Sequence, residues 1–336
     1  MTLPRSRIAA VVIVVMLVAR SCPAGEPRLP MLSDAEAWAA LPKAEAGGGG
    51  PLPNWARATA RAQPRTTAAM IDLDRLHRTK SPLGPSLRGK MRWVAADANR
   101  CDYSRDTAEA DLRRSGVGGE AIADLKAGPD RWPASERAAL EFARQMTMDA
   151  GSITDPEVAA IKRQYGDEKL VAMVLLLAAA NFQDRLVLTL GTPLEAGGPL
   201  PPLEVRWVPP AGQPPVPPRA RPADRAGSPV PDRVNDPEWT AVAFDSLQKG
   251  LDAQRGNDGR IRVPTYDEVL KGWPHGYPKP KSPLRIKWSL VCMGYQPELA
   301  AAWSACTNSF REEAKQDRVF EESLFWVVTR TIHCFY

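Results

Sequence analysis

The chain repeats part of its own sequence at one fixed offset. Nine residues recur 233 positions later without a gap: Trp55/Trp288, Pro64/Pro297, Ala68/Ala301, Ala69/Ala302, Arg78/Arg311, Trp93/Trp326, Val94/Val327, Cys101/Cys334 and Tyr103/Tyr336. Tryptophan and cysteine are rare residues, so two Trp pairs and a Cys pair in a single register indicate a duplication. The pattern predicts one structural unit that is present twice, with the paired indole rings in similar surroundings.

The two copies differ in length. The shift aligns the last residue, Tyr336, with Tyr103, whereas the first copy continues through further helical patterns to about residue 200. Residues 199–231 contain twelve prolines and form a semi-rigid linker that cannot build a core. We therefore expect a first domain at 30–200, a Pro-rich linker at 201–235 and a truncated second domain at 236–336.

The composition and local signals predict an all-α fold. A length of 336 residues suits about two domains, and stretches rich in β-branched residues are scarce. Ser33 with Glu36 forms a capping box at a helix start. Thr265 with Glu268 repeats this arrangement in the second copy at an offset of 232. One residue was therefore inserted in the loop that follows this helix.

Apolar periodicity predicts further helices in the first copy. They cover the segments Trp55–Ala62, Thr66–His77, Leu87–Asn99, Asp106–Arg114 and Ser135–Met148. Another helix opens at Thr154–Glu157, where a capping residue precedes a proline in the first turn. Leu170–Ala180 is apolar on nearly every side and predicts a buried central helix, because eleven residues cannot cross a membrane.

The N-terminus has the pattern of an export signal. Arg5 and Arg7 precede the apolar run Ile8–Ala19, and small residues follow. We expect a signal peptide at 1–24 and a secreted or periplasmic protein. An uncleaved membrane anchor is the alternative, and a lipid anchor on Cys22 fits that signal poorly.

Charge and cysteine usage narrow the function classes. The formal net charge is +5, and the basic residues do not form a stripe interleaved with aromatics. The sequence therefore argues against nucleic acid as a partner. The five cysteines, at 22, 101, 292, 306 and 334, do not form a small-domain disulfide framework. We expect Cys292 and Cys306 to be buried free thiols.

Three features together resemble the carboxymuconolactone decarboxylase/alkylhydroperoxidase-D-like superfamily. A Trp-bearing helix enters a Cys-x-Tyr segment at Cys101, the segment 139–144 reads Ala-Leu-Glu-Phe-Ala-Arg, and 181–185 reads Asn-Phe-Gln-Asp-Arg. The resemblance covers residues 30–200 and, as half a unit, 236–336. It implies tandem helical bundles, a homo-oligomer and, in redox members, a site made of a Glu, a Cys-x-x-Cys pair and a His.

The first copy lacks most residues of the implied site. Cys101 matches the first thiol, but Ser104 stands at the second thiol position, Ala108 at the His position and Gly89 at the Glu position. A serine cannot form a disulfide, and a thiolate needs a nearby base or a helix N-terminus to become reactive. Cys101 alone is therefore expected to be a buried helix thiol.

The second copy retains more of the implied site. Glu322 precedes Cys334 by the superfamily spacing of twelve residues, and His333 is not the superfamily histidine. The candidate catalytic residues are therefore Cys334 and Glu322, with Cys101 as the remnant in the first copy. No metal or cofactor is predicted. One explanation of the end at Tyr336 is a selenocysteine codon read as a stop; a frameshift, a nonsense mutation or an incomplete gene model are the others.

Three functions follow as hypotheses. The first is a thiol-dependent peroxide reductase that takes a peroxide and a thiol reductant and is inactive or crippled in the given form. The second is a non-catalytic helical scaffold or oligomerisation module. The third is lactone decarboxylation, which has little support because His77 is the only histidine of the first copy, and we expect it on a helix surface.

Overall fold

A computed structural model describes residues 27–207, 259–277 and 286–331, with isolated positions at 245–246, 248–249, 252, 279 and 283–284. Over these residues the chain is mostly helical, which confirms the all-α prediction. The predicted signal peptide, Cys22, most of the linker and the segment 332–336 with Cys334 and His333 lie outside the described residues.

Eight helices and one small sheet form the described first copy. The helices are α1 Asp34–Ala40, α2 Asn54–Thr59, α3 Pro64–Thr79, α4 Pro85–Ala98, α5 Asp102–Arg114, α6 Gly119–Ala127, α7 Arg137–Asp149 and α8 Asp155–Leu190. Strands β1 Ala44–Ala46 and β2 Arg206–Trp207 pair antiparallel. Residues 201–207, which their proline content assigns to the linker, thus pack on the first copy, and Val205 is buried there.

Local signals set the helix starts. Ser33 accepts a hydrogen bond from the Glu36 amide while the Glu36 carboxylate accepts one from the Ser33 amide, so the predicted capping box is present. Thr154 and Glu157 form the same arrangement at the start of α8. Helix α5 begins at Asp102, four residues before the predicted start, with Cys101 as its N-cap.

Helices α4 and α8 occupy the centre of the first copy. Residues 87–96 of α4 are all buried, and the predicted central segment Leu170–Ala180 contains most of the buried residues of α8. The backbone of α8 breaks at Gly166, where φ is 77°. By length and composition α8 could cross a membrane, but 56% of its most apolar window is buried inside the protein, as in the core helix of a globular domain.

Four helices form the described second copy, and they follow the order of α1–α4. They are α9 Tyr266–Lys271, α10 Lys287–Tyr295, α11 Pro297–Glu313 and α12 Arg318–Thr331. Helices α10, α11 and α12 begin 233 residues after α2, α3 and α4, and α9 begins 232 residues after α1. The capping box of Thr265 and Glu268 at α9 matches that at α1. The helix starts therefore agree with the duplication inferred from identical residues.

The paired indole rings, in contrast, do not share their surroundings, so that expectation is wrong, and this difference counts against a duplicated unit. Trp55 and Trp93 are 2% and 5% exposed, whereas Trp288 and Trp326 are 50% and 42% exposed. Residues of α5, α7 and α8 share a core cluster with Trp93. The described second copy contains no counterpart of these helices, so the equivalent ring on α12 lacks that cover.

The two copies pack through equivalent helices. Leu73 and Leu76 of α3 share an apolar cluster with Leu299 and Ala302 of α11. The helices run antiparallel, because Glu313 at the end of α11 meets the start of α3. Its carboxylate accepts hydrogen bonds from the Arg65 and Thr66 amides at 2.9 and 2.8 Å. Helix α3 has no side-chain cap of its own, so the second copy supplies one.

Candidate functional site

The four first-copy positions that the resemblance assigns lie on the neighbouring helices α4 and α5. Gly89 lies on α4, Cys101 caps α5, and Ser104 and Ala108 follow on the first two turns of α5. Ser104 and Ala108 border one cleft, and the Cys101 thiol donates to the Ser104 hydroxyl at 3.4 Å. The side chains that would complete the thiol site are absent at these positions.

Gly89 has a packing reason to lack a side chain. A Cβ at this position would lie 2.7 Å from Cδ2 of Leu112, a fully buried residue of α5. Contacts that short do not occur between carbon atoms, so any side chain at position 89 would require Leu112 to move. The absence of a side chain at position 89 thus permits the close packing of α4 on α5.

Cys101 is poorly suited to nucleophilic chemistry. Its side chain is buried, and burial raises the pKa of the thiol, with a further rise from the Asp184 carboxylate. The hydrogen bond to Ser104 acts in the opposite direction but does not outweigh burial. With its raised pKa, Cys101 remains a protonated thiol at neutral pH. It is therefore unreactive, because the thiolate is the reactive form.

The two middle cysteines are free thiols, as predicted, although only one of them is fully buried. Cys306 of α11 is buried, and Cys292 of α10 is partly exposed. Burial raises the pKa of Cys292 to about 11 and that of Cys306 to about 12. Both thiols therefore remain protonated at physiological pH.

Of the second-copy candidates, the structure describes Glu322 alone. This residue lies on α12, is exposed, and accepts a hydrogen bond from Arg318 at 3.0 Å, one helical turn earlier. Its counterpart Gly89 lies on the face of α4 that packs on α5. Cys334 lies beyond the described residues, so its distance from Glu322 stays a prediction.

A cleft of about 60 Å³ lies between α3, α4, α5 and α8. Its lining includes the polar residues His77, Arg88 and Tyr103 and the apolar residues Leu73, Leu176 and Phe182. The cleft borders the Ser104 and Ala108 positions, so it occupies the region where the resemblance implies a site.

Ion pairs hold the arginines of the cleft in place. Arg88 donates to Asp111 at 3.0 Å, and Arg78 donates to the same carboxylate at 2.7 and 2.9 Å. Burial alone would raise the pKa of Asp111, but its hydrogen bonds and ion pairs with Arg78 and Arg88 outweigh burial and lower it. Arg92 is held by the fully buried Asp184.

His77 is buried in this cleft, so the prediction of a helix-surface position is wrong. Only 6% of the residue is exposed. Burial lowers its pKa to about 3, and the charges of Arg88 and Arg92 add to the effect. The imidazole is therefore neutral at pH 7. Among the described residues, neither Nδ1 of His77 nor Nε of Arg88 has a hydrogen-bond partner, although both atoms are buried.

Sequence reasoning missed the basic residues of this cleft. The pattern of α4 indicated an apolar face through Met91 and Val94 and left its charged residues on the solvent side. Arg88 and Arg92 lie one turn apart on the same face of a helix and Lys90 lies on the opposite face, so the three charges cannot all reach solvent when both sides of that helix are packed. This distribution of charges around α4 was the signal in the sequence that could have indicated buried charged residues.

Comparisons with known proteins add no family assignment. No protein-family model matches the chain, and no curated protein is similar to it in sequence. Within the described ranges, no group of three or more His, Cys, Asp or Glu side chains is arranged to hold a metal ion.

Proposed function

We propose that the chain is a tandem protein of the carboxymuconolactone decarboxylase/alkylhydroperoxidase-D-like superfamily, whose second copy resembles thiol-dependent peroxide reductases and is inactive or crippled in the given form. One observation supports the proposal most. The second-copy helices begin at the same offset that pairs Cys334 with Cys101, the N-cap of α5. A helix N-terminus favours a thiolate, so this position suits a reactive cysteine where burial does not oppose it.

The reaction assigns a role to each candidate. The Cys334 thiolate attacks one peroxide oxygen, the O–O bond breaks, and the sulfur is oxidised to a sulfenic acid. The Glu322 carboxylate takes the proton of the Cys334 thiol when the thiolate forms and then donates it to the leaving alkoxide. A thiol reductant then attacks the sulfenic sulfur, releases water and forms a mixed disulfide, which a second reductant thiol cleaves.

The first copy takes no part in this chemistry under the proposal. The raised pKa of Cys101, the serine at position 104 and the packed Gly89 position all oppose a thiol reaction there. A homo-oligomer and an export signal at 1–24 remain parts of the proposal, and the signal would direct the protein to a secreted or periplasmic location.

Trapping of sulfenic acid in the full chain tests the proposal. After one equivalent of hydrogen peroxide, dimedone should label Cys334 and leave Cys101, Cys292 and Cys306 unmodified, as measured by peptide mass spectrometry. Cys334→Ser should abolish any residual peroxide consumption, and Glu322→Gln should slow it by about 10²-fold or more. Cys306→Ser is the matched control and should react like the parent chain. Equal labelling of Cys101 and Cys334 would contradict the proposal.

The packing of α3 on α11 favours a second candidate function, that of a non-catalytic helical scaffold. In this role the first copy covers apolar residues of the second copy, and Glu313 of the second copy caps helix α3 of the first. Loss of assembly with unchanged peroxide turnover, when the first copy is deleted, would support the scaffold.

A further inference from the structure

The cleft of the first copy contains two buried polar atoms with unmet hydrogen-bonding capacity. These are Nδ1 of His77 and Nε of Arg88, on residues that are 6% and 4% exposed. Buried polar atoms in native proteins nearly always have a partner, which can be protein, water or a ligand. Both residues line one cavity, and the chemistry proposed for Cys334 uses neither.

We propose that this cleft binds a small monocarboxylate, with one carboxylate oxygen on Arg88 Nε and the other on His77 Nδ1. Arginine Nε is a donor only and belongs to a permanently charged group, so its partner must offer an acceptor and gains from a negative charge. A neutral imidazole with its proton on Nδ1 donates to the second oxygen. The site is independent of the redox proposal.

The charges around the cleft favour an anion. Arg78 and Arg88 share the carboxylate of Asp111, and Arg114 also donates to it at 3.1 Å. Arg78 pairs with Asp74 as well, so three guanidinium groups share two carboxylates, and Nε of Arg88 is left for a ligand. The positive potential of Arg88 and Arg92 also lowers the pKa of His77, which an anion in the cleft would reverse.

The size and lining of the cleft limit the ligand. At about 10–15 Å³ for each water-sized atom, a volume of about 60 Å³ holds roughly four to six non-hydrogen atoms. Apart from its charged groups, the lining is largely apolar and includes Leu73, Leu176 and Phe182. A carboxylate with a short hydrocarbon tail, such as propionate, matches both kinds of lining, whereas a dianion would place a second charge against apolar side chains.

Histidine NMR of the full chain tests this site, because the chain has three histidines. Titration with sodium propionate at pH 7 should shift the His77 imidazole resonances in a saturable way. His275 and His333 should stay unchanged, and their signals are assigned with His275→Gln and His333→Gln. Propanamide, a neutral molecule of similar shape, should produce no saturable shift at the same concentration.

Two variants keep the test decisive if one of them folds poorly. Arg88→Lys retains the positive charge but removes the Nε donor, and we expect binding at least about tenfold weaker. Ala179→Leu fills the cleft from its partly exposed rim without removing any charge, and we expect it to abolish the His77 shift. Equal shifts with propionate and propanamide would overturn the proposal. The proposal would also be overturned if both variants still bound propionate. It would likewise be overturned if propionate caused no His77 shift in the parent chain, as for a cleft filled by ordered water.

Discussion

At the residue scale, burial decides how the titratable groups of this protein behave. Cys101, Cys292 and Cys306 all have raised pKa values because the interior disfavours a thiolate, and His77 has a lowered one because it disfavours an imidazolium. Both shifts follow from one physical cause, the loss of hydration of the charged form. The neutral forms of these groups therefore dominate near pH 7.

The lowered pKa of His77 predicts a loss of stability in mild acid. Its pKa is about 3 in the folded protein, against an ordinary value of 6.5 that applies to the unfolded chain. Between these values the unfolded chain binds a proton that the folded protein excludes. The free energy of unfolding should therefore be unaffected above pH 6.5 and fall below it, by up to about 1 kcal/mol per pH unit from this group.

Urea unfolding at pH 7.0 and 5.0 measures this effect. His77→Gln cannot titrate and should reduce the difference in unfolding free energy between the two pH values, whereas the exposed His275→Gln should leave it unchanged. Carboxylates and arginines near His77 contribute equally to both chains and cancel in the comparison; they are Asp74 and Arg78 of α3, Arg88 and Arg92 of α4, and Asp111 of α5. The same pH dependence in His77→Gln and the parent would contradict the assignment.

At the element scale, α4 and α5 fit together because position 89 has no side chain. We expect Gly89→Ala to destabilise the protein by about 1–3 kcal/mol, since its Cβ would overlap the buried Leu112. The higher helix propensity of alanine would offset about 1 kcal/mol of this cost. Chemical denaturation measures the change, and a smaller cost in a Leu112→Val background would identify the clash.

A second glycine serves as the control for this substitution. A Cβ on Gly119, at the start of α6, would meet nothing within 4 Å. Gly119→Ala should change the unfolding free energy by no more than about 0.5 kcal/mol in the destabilising direction. Similar losses at both positions would mean that general helix effects, rather than the contact with Leu112, explain the result.

The cap of α3 by Glu313 predicts that a distant carboxylate stabilises this helix. Glu313 accepts from the Arg65 and Thr66 amides and from the Thr66 hydroxyl, and its side chain is only 9% exposed. We expect Glu313→Gln to cost about 1–2 kcal/mol, because the charge opposite the helix N-terminus is lost. The exposed Glu141→Gln should have little effect in the same denaturation assay, and equal effects of the two variants would refute the cap.

At the scale of the whole molecule, the two copies differ in how they bury their apolar residues. The described first copy has its own central helices, whereas α11 of the second copy packs its apolar residues against α3 and α8. Helix α12 exposes several large apolar side chains, including Phe320, Leu324 and Phe325. A contiguous apolar surface of this kind is typical of an interface, and this surface is where the predicted oligomer contact would fit.

This asymmetry predicts different behaviour of the separated copies. A fragment of residues 27–207 should melt in one cooperative transition, with some loss of stability because α3 loses its cap and cover. A fragment of residues 236–336 should give no cooperative transition as a monomer, because its apolar faces are uncovered. Circular dichroism with light scattering measures both, and a sharp high-temperature transition of monomeric 236–336 would be the contrary result.

Most helices could be predicted from the sequence, because helix formation depends on neighbours within about four residues. The capping boxes at Ser33, Thr154 and Thr265 marked three helix starts, and the apolar run Leu170–Ala180 marked the central helix. The repeat offset of 233 anticipated where α10, α11 and α12 begin. These features are encoded locally and need no knowledge of distant contacts.

The cleft and the contact between copies could not be derived in this way. The burial of His77, the pairing of Arg88 with Asp111 and the capping of α3 by Glu313 depend on helices that are far apart in the chain. Periodicity shows that a helix has an apolar face but not which helix covers it or which charges become buried. Those outcomes depend on tertiary packing, because the environment of a side chain is set by whatever the rest of the chain brings against it.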